Sequence, residues 1–148
     1  MSQQDININL PVLDFSEALG TVPVVGEWFE SATDNATVYV LRTSKYFRYS
    51  AHIVPKADFT TDNVTITLCE SNFDIDEYEV DGVTTPVIIQ EYDPVADAFV
   101  DASRTVEGSE PRFMSDLSGF NAKYLVVKAT TTATAGEVDI RLCLKPLN

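Results

Sequence analysis

The chain has 148 residues, 23 acidic against 10 Lys and Arg, for a net charge of −13 at pH 7. That balance excludes sequence-independent nucleic-acid binding, which needs Lys and Arg against phosphates, and docking on anionic lipid. With 45% apolar and 10% aromatic residues it is no disordered acidic tail. Its length suits one domain, residues 1–148, that buries a core without cofactor, metal or disulfide.

Residues 1–7 have neither the basic start nor the apolar stretch of a secretory leader, and no apolar run is long enough to span a membrane. The expected place of synthesis is a cytosol. From there on, a periodicity of two dominates. Asp5–Val12 sets Ile6, Ile8, Leu10 and Val12 against Asn7 and Asn9. Residues 1–12 are either an arm that adds a strand to a neighbouring subunit, with Ile6, Ile8 and Leu10 as its contacts, or an edge strand of the same domain. Short helical turns are expected at Phe15–Leu19 and Gly26–Ser31. Thr37–Thr43 is rich in Val, Tyr and Leu. Tyr46–Val54 alternates Phe47, Tyr49, Ala51 and Ile53 against Arg48, Ser50 and His52.

Asn63–Glu70 alternates cleanly. Pro86–Tyr92 is an apolar run with a polar end, and Ala98–Ala102 is short. A third helical turn is expected at Ser115–Phe120. Lys123–Thr132 and Glu137–Leu144 flank Thr132-Ala133-Thr134-Ala135-Gly136 and are expected to pair as an antiparallel hairpin. Asp34-Asn35, Thr61-Asp62-Asn63, Asp81-Gly82, Asp93-Pro94, Ser118-Gly119 and Ala135-Gly136 mark turns. About eight short strands with little helix predict an all-β fold, an antiparallel β-sandwich that is jelly-roll-like.

The cysteines are Cys69 and Cys143. Each takes the parity opposite its strand's apolar set, so both thiols belong on faces turned away from the core. In a cytosol they default to reduced thiols, and they would pair only if their strands were neighbours. Two cysteines and one histidine at these spacings match no zinc pattern.

The charge is uneven. From Asp58 to Glu110 there are fourteen acids and one base, Arg104, whereas the remainder holds nine of each. This stretch is a solvated outer surface, a face for a basic partner, or a cation site. For Ca²⁺ the candidate ligands are Asp74, Asp76, Glu79 and Asp81, in a spacing that fails the EF-hand pattern.

Catalytic signatures are absent: there is no Gly-x-Ser-x-Gly elbow, catalytic-cysteine motif, HExxH or phosphate-cradling glycine loop. His52 stands on a strand away from the apolar parity, with Cys69 and Cys143 as its only thiol partners. The expectation is a protein that is not an enzyme. Among aromatic residues, Trp28, ahead of a polar turn, is the one placed to serve a binding surface. Tyr39, Tyr46, Phe47 and Tyr49 form a second aromatic group, of which Phe47 and Tyr49 have core parity.

The run Phe120-Asn121-Ala122-Lys123-Tyr124-Leu125-Val126-Val127-Lys128-Ala129-Thr130, followed by Gly136-Glu137-Val138-Asp139-Ile140-Arg141-Leu142, resembles the closing hairpin of small β-sandwich structural proteins of tailed-bacteriophage virions. These are the head-decoration, head-fibre and tail-associated modules. Residues 63–71 and 85–101 resemble their middle strands and wrapped acidic loop. The resemblance implies a non-enzymatic homo-oligomeric component of the virion, assembled in the host cytoplasm on virion proteins such as the major capsid protein. It carries no functional residues across. The competing expectation is a carbohydrate- or receptor-binding module, Ca²⁺-assisted, that uses Trp28.

Overall fold

The structure is a computed structural model that describes residues 4–43, 47–57, 59–120 and 122–146. Tyr46, Asp58 and Asn121, named above, and the side chains of residues 47, 57, 59–62 and 116–120 lie outside that description.

In chain order the elements are β1 (Ile6–Asn9), β2 (Leu13–Asp14), β3 (Trp28–Ser31), β4 (Ala36–Arg42), β5 (Phe47–Ala57) and β6 (Phe59–Ser71). A 3-10 turn (Ile75–Glu77) comes next, then β7 (Glu79–Val80), β8 (Val83–Thr84), β9 (Val87–Ile88), β10 (Gln90–Asp93) and β11 (Ala98–Asp101). The chain closes with β12 (Ser103–Gly108), β13 (Arg112–Phe120), β14 (Tyr124–Thr131) and β15 (Glu137–Pro146).

Two antiparallel sheets pack face to face. One runs β1-β15-β5-β13, with β2 beside β15; the other runs β12-β6-β14-β4-β3, with β9 beside β6. Two small hairpins, β7–β8 and β10–β11, stand outside them. The all-β antiparallel sandwich is what the period of two predicts. Between the sheets lie Tyr49, Ala51 and Ile53 of β5, Val64, Ile66 and Leu68 of β6, Leu125 and Val127 of β14, and Ile140, Leu142 and Leu144 of β15. Tyr49 is core, as its parity requires. Each fully buried aliphatic side chain here is worth about 1.5–3 kcal/mol.

Several expectations need correction. The strand segments number fifteen among the described residues, because short pieces escape periodicity reading. Ser115–Phe120 lies in β13, the second half of Gly26–Ser31 is β3, and Phe15 begins a plain turn. Thr61-Asp62-Asn63 is no turn but the interior of β6.

The expected final hairpin is not one. β14 lies between β4 and β6, whereas β15 lies in the opposite sheet between β1 and β5. Both strands carry apolar faces, and these meet across the core rather than side by side. Gly136, at φ 115, turns the chain from one sheet to the other. Few L-residues adopt that conformation without strain.

Around β4 and the first half of β14 the second sheet is buried on both sides. Beneath its outer face Phe29, Val38, Val40, Cys69, Tyr124 and Val126 form a second cluster, covered by Tyr78 and Ile75. The cover is a strap, residues 72–88, that leaves β6 and returns as β9. Its β7–β8 hairpin turns on Asp81 and Gly82, both at positive φ (51 and 76), as a tight two-residue hairpin requires. Continuous apolar runs in β4 and β14 follow from this double burial.

Candidate functional site

The N-terminal contact residues all meet this chain's own sheet. Ile6 stands opposite Leu144 and Ile8 opposite Leu142. The Leu10 N–H donates to the Ile140 carbonyl at 3.0 Å. Leu10 is buried, Ile8 half-buried and Ile6 exposed. β1 forms one edge of its sheet.

Trp28 holds that segment to the other sheet. Its indole N–H donates to the Pro11 carbonyl at 2.7 Å, and its ring lies 5.2 Å from that of Tyr39. The side chain is half-buried against the main core, so its polar edge is already engaged within the chain.

The proposed Ca²⁺ ligands do not converge as a set. Among the described residues the acids that come together are Asp74, Asp76 and Glu77, all exposed. Asp74 is held by the Lys123 ammonium and accepts from the Tyr124 hydroxyl at 3.1 Å. These bonds, from Lys123 first, keep its carboxyl below the ordinary value. Glu79 instead accepts from Ser31 at 3.4 Å, and Asp81 forms the β7–β8 turn. Glu77, absent from the sequence-based set, enters through the 3-10 turn, which local spacing does not announce.

A polar junction that sequence reasoning missed is built on Asp34, in the β3–β4 turn. It accepts from Tyr78 at 2.9 Å and from Thr84 at 2.8 Å, and pairs with Lys128 at 3.0 Å. Burial alone would raise its carboxyl, but these donors outweigh burial and hold it below the ordinary value. Burial and the nearby Asp34 charge push the Tyr78 phenol upward. The partners are 44 to 94 residues away in sequence, so no spacing motif reveals them.

Cys69 does point away from the inter-sheet core, yet the strap covers it completely. Burial pushes its thiol up to about 12, the reverse of a reactive cysteine. Cys143 is on β15, in the other sheet, and both thiols are free. His52 is exposed on the outer face of β5, its ring 6.0 Å from that of Phe113. It is on the opposite side of the sandwich from Cys69.

A cleft of about 370 Å³ opens beside β3 and the end of β14, between Phe15, Glu30, Thr37 and Ala133. Its described lining is mostly small and hydroxyl-bearing, with Glu30 the one carboxylate among the described lining residues and Ser31 turned to Glu79. No helix among the described residues is long and apolar enough to cross a membrane. Comparison with protein-family models, curated proteins and solved structures finds no match to this chain.

Proposed function

We propose that the chain is a non-enzymatic structural protein of a tailed-bacteriophage virion. It is made in the host cytoplasm and decorates or builds the head, neck or tail. It works by contacts with copies of itself and with virion proteins such as the major capsid protein. The observation that carries this reading is connectivity. With the edge strand β3, the short β2 and β7 to β11 set aside, the chain runs β1, β4, β5, β6, β12, β13, β14, β15, and it changes sheet at every step except β6 to β12.

With spatial orders β1-β15-β5-β13 and β12-β6-β14-β4, that path supports a jelly roll, the wrapped pair of Greek keys found in capsid and lectin domains. The link from architecture to role is an analogy between folds.

The test is to band virus particles by density from cultures that express the chain, and to probe the fractions with an antibody against it. The chain is expected to band with the particles. Recovery only in the soluble fraction would contradict the reading. If the soluble chain bound a glycan and Trp28→Ala abolished that binding, the carbohydrate-binding alternative would replace it.

A further inference from the structure

The two outer faces of the sandwich differ. The strap closes the one over β14, whereas the outer face of the β15 sheet is open and carries two opposed cations toward the C-terminal end of β15. Strand register sets Lys145 directly opposite Arg48, and Arg141 opposite His52. Phe113 stands beside His52 on the next strand and is 60% exposed. Like charges directly opposite on neighbouring strands repel.

Lys145 has one acid near it, Asp5 at 4.0 Å, and Arg141 has Asp139 at 3.4 Å. Arg48 takes part in none of the ion pairs formed among the described side chains. Lys123, Lys128 and Arg104, by contrast, sit on Asp74, Asp34 and Glu91. Against Arg48 and Lys145 the described side chains set one acid, Asp5, at 4.0 Å from Lys145, and an acidic surface from outside the chain complements the remaining positive charge.

The chain itself carries such a surface. In the β10–β11 hairpin, Tyr92 is opposite Phe99 and Gln90 is opposite Asp101, all on one face. The two rings meet edge to face at 5.6 Å. Both are more than half exposed, and Val95 at the tip is 96% exposed. Asp101 shares their face, and Asp97 accepts from the Tyr92 hydroxyl. On the reverse face Glu91 is buried against Arg104. The hairpin is therefore anchored on one side and presents aromatic and acidic groups to solvent on the other. An exposed apolar knob with an acidic rim fits an apolar spot with a basic rim.

The geometry points to contact between copies of this chain: the β10–β11 hairpin of one docks on the Arg48–His52–Arg141–Lys145 face of another, with Phe113 against Tyr92 and Phe99. A second copy is the occupant whose charge matches. The net charge of −13 opposes association of two copies as a whole, so the contact rests on the local match between the two patches. Because the two patches differ, the contact builds a head-to-tail row or ring, or a reciprocal pair. The inference rests on the assembly reading only in that it brings copies together. Density banding and solution mass are separate measurements, so either can fail alone.

The test is sedimentation velocity on the full chain at about 0.15 M salt, which screens the net repulsion beyond about 8 Å and leaves the close contact. The wild-type chain is expected to associate, and added salt is expected to weaken the association. Arg48→Glu with Lys145→Glu alters only the face; Val95→Asp with Phe99→Ser alters only the hairpin. Each variant is expected to be a folded monomer by circular dichroism. Mixed, the two are expected to form a 1:1 complex, because one retains the hairpin and the other the face. A monomeric wild type, variants of wild-type mass, or a mixture that stays monomeric would overturn the proposal. So would a monomeric wild type that binds duplex DNA through the same two cations.

Discussion

The Tyr78 hydroxyl donates a 2.9 Å hydrogen bond to Asp34, joining the strap to the β3–β4 turn. The same ring meets Phe29 edge to face, with centroids 5.5 Å apart. Tyr78 thus couples a polar junction to an apolar one. Tyr78→Phe is expected to cost about 1 kcal/mol, the net worth of one hydrogen bond. Tyr78→Ala is expected to cost about 3–5 kcal/mol, because it also opens the cluster beneath. Urea unfolding of both variants measures this, and equal losses would show that the ring contributes nothing beyond its hydroxyl.

Acid is expected to loosen the strap. Burial opposes ionisation of Asp34, but Lys128, Thr84 and Tyr78 prevail and lower its carboxyl from 3.8. For a group lowered by folding, the stabilisation is complete above the unfolded value and lost as pH falls through the folded one. The melting temperature should therefore drop below about pH 4. In Asp34→Asn the acid limb should be shallower, at lower overall stability. Thermal scans across this range check both.

EDTA is expected to leave the melting temperature unchanged. Asp74 is already engaged by Lys123 and Tyr124, and Glu79 and Asp81 serve other contacts. A large upward shift on adding Ca²⁺ would contradict this.

The two thiols should differ in reactivity. Cys69 is fully buried, with its thiol raised to about 12, whereas Cys143 is partly exposed. Iodoacetamide on the native chain is expected to label Cys143 alone, as read by peptide mass. Tyr78→Ala should make Cys69 reactive while Tyr78→Phe does not. Equal labelling of both thiols in the native wild type would disprove the cover over Cys69.

Trp28→Phe keeps an aromatic ring near Tyr39 and removes the donor to Pro11. The expected loss is about 1 kcal/mol, with faster amide exchange in residues 8–12. Unchanged exchange there would separate Trp28 from the N-terminal segment.

The strands with clean alternation, β1, β5, β6 and β15, were legible because each sets apolar residues on one face. β12 and β13 were not. β12 supplies only Val106 to the core, and β13 supplies Met114 while its Phe113 faces solvent. Alternation assigns a face but not a neighbour, which is why β14 and β15 looked like one hairpin. Cys69 was given the correct face, yet its burial depends on Tyr78, whose placement comes from distant partners. The Asp34 junction was hidden for the same reason. The cationic face needed strand register: Arg48 and Lys145 become opposed only when β5 and β15 pair.

The most direct test of the assembly role is the ratio of this chain to the major capsid protein in particles purified by density and then by size, measured by quantitative mass spectrometry. The account predicts a fixed ratio across the particle peak that persists through a second round of banding and a wash in the same buffer. A ratio that drifts across the fractions, or falls to zero after the wash, would contradict it.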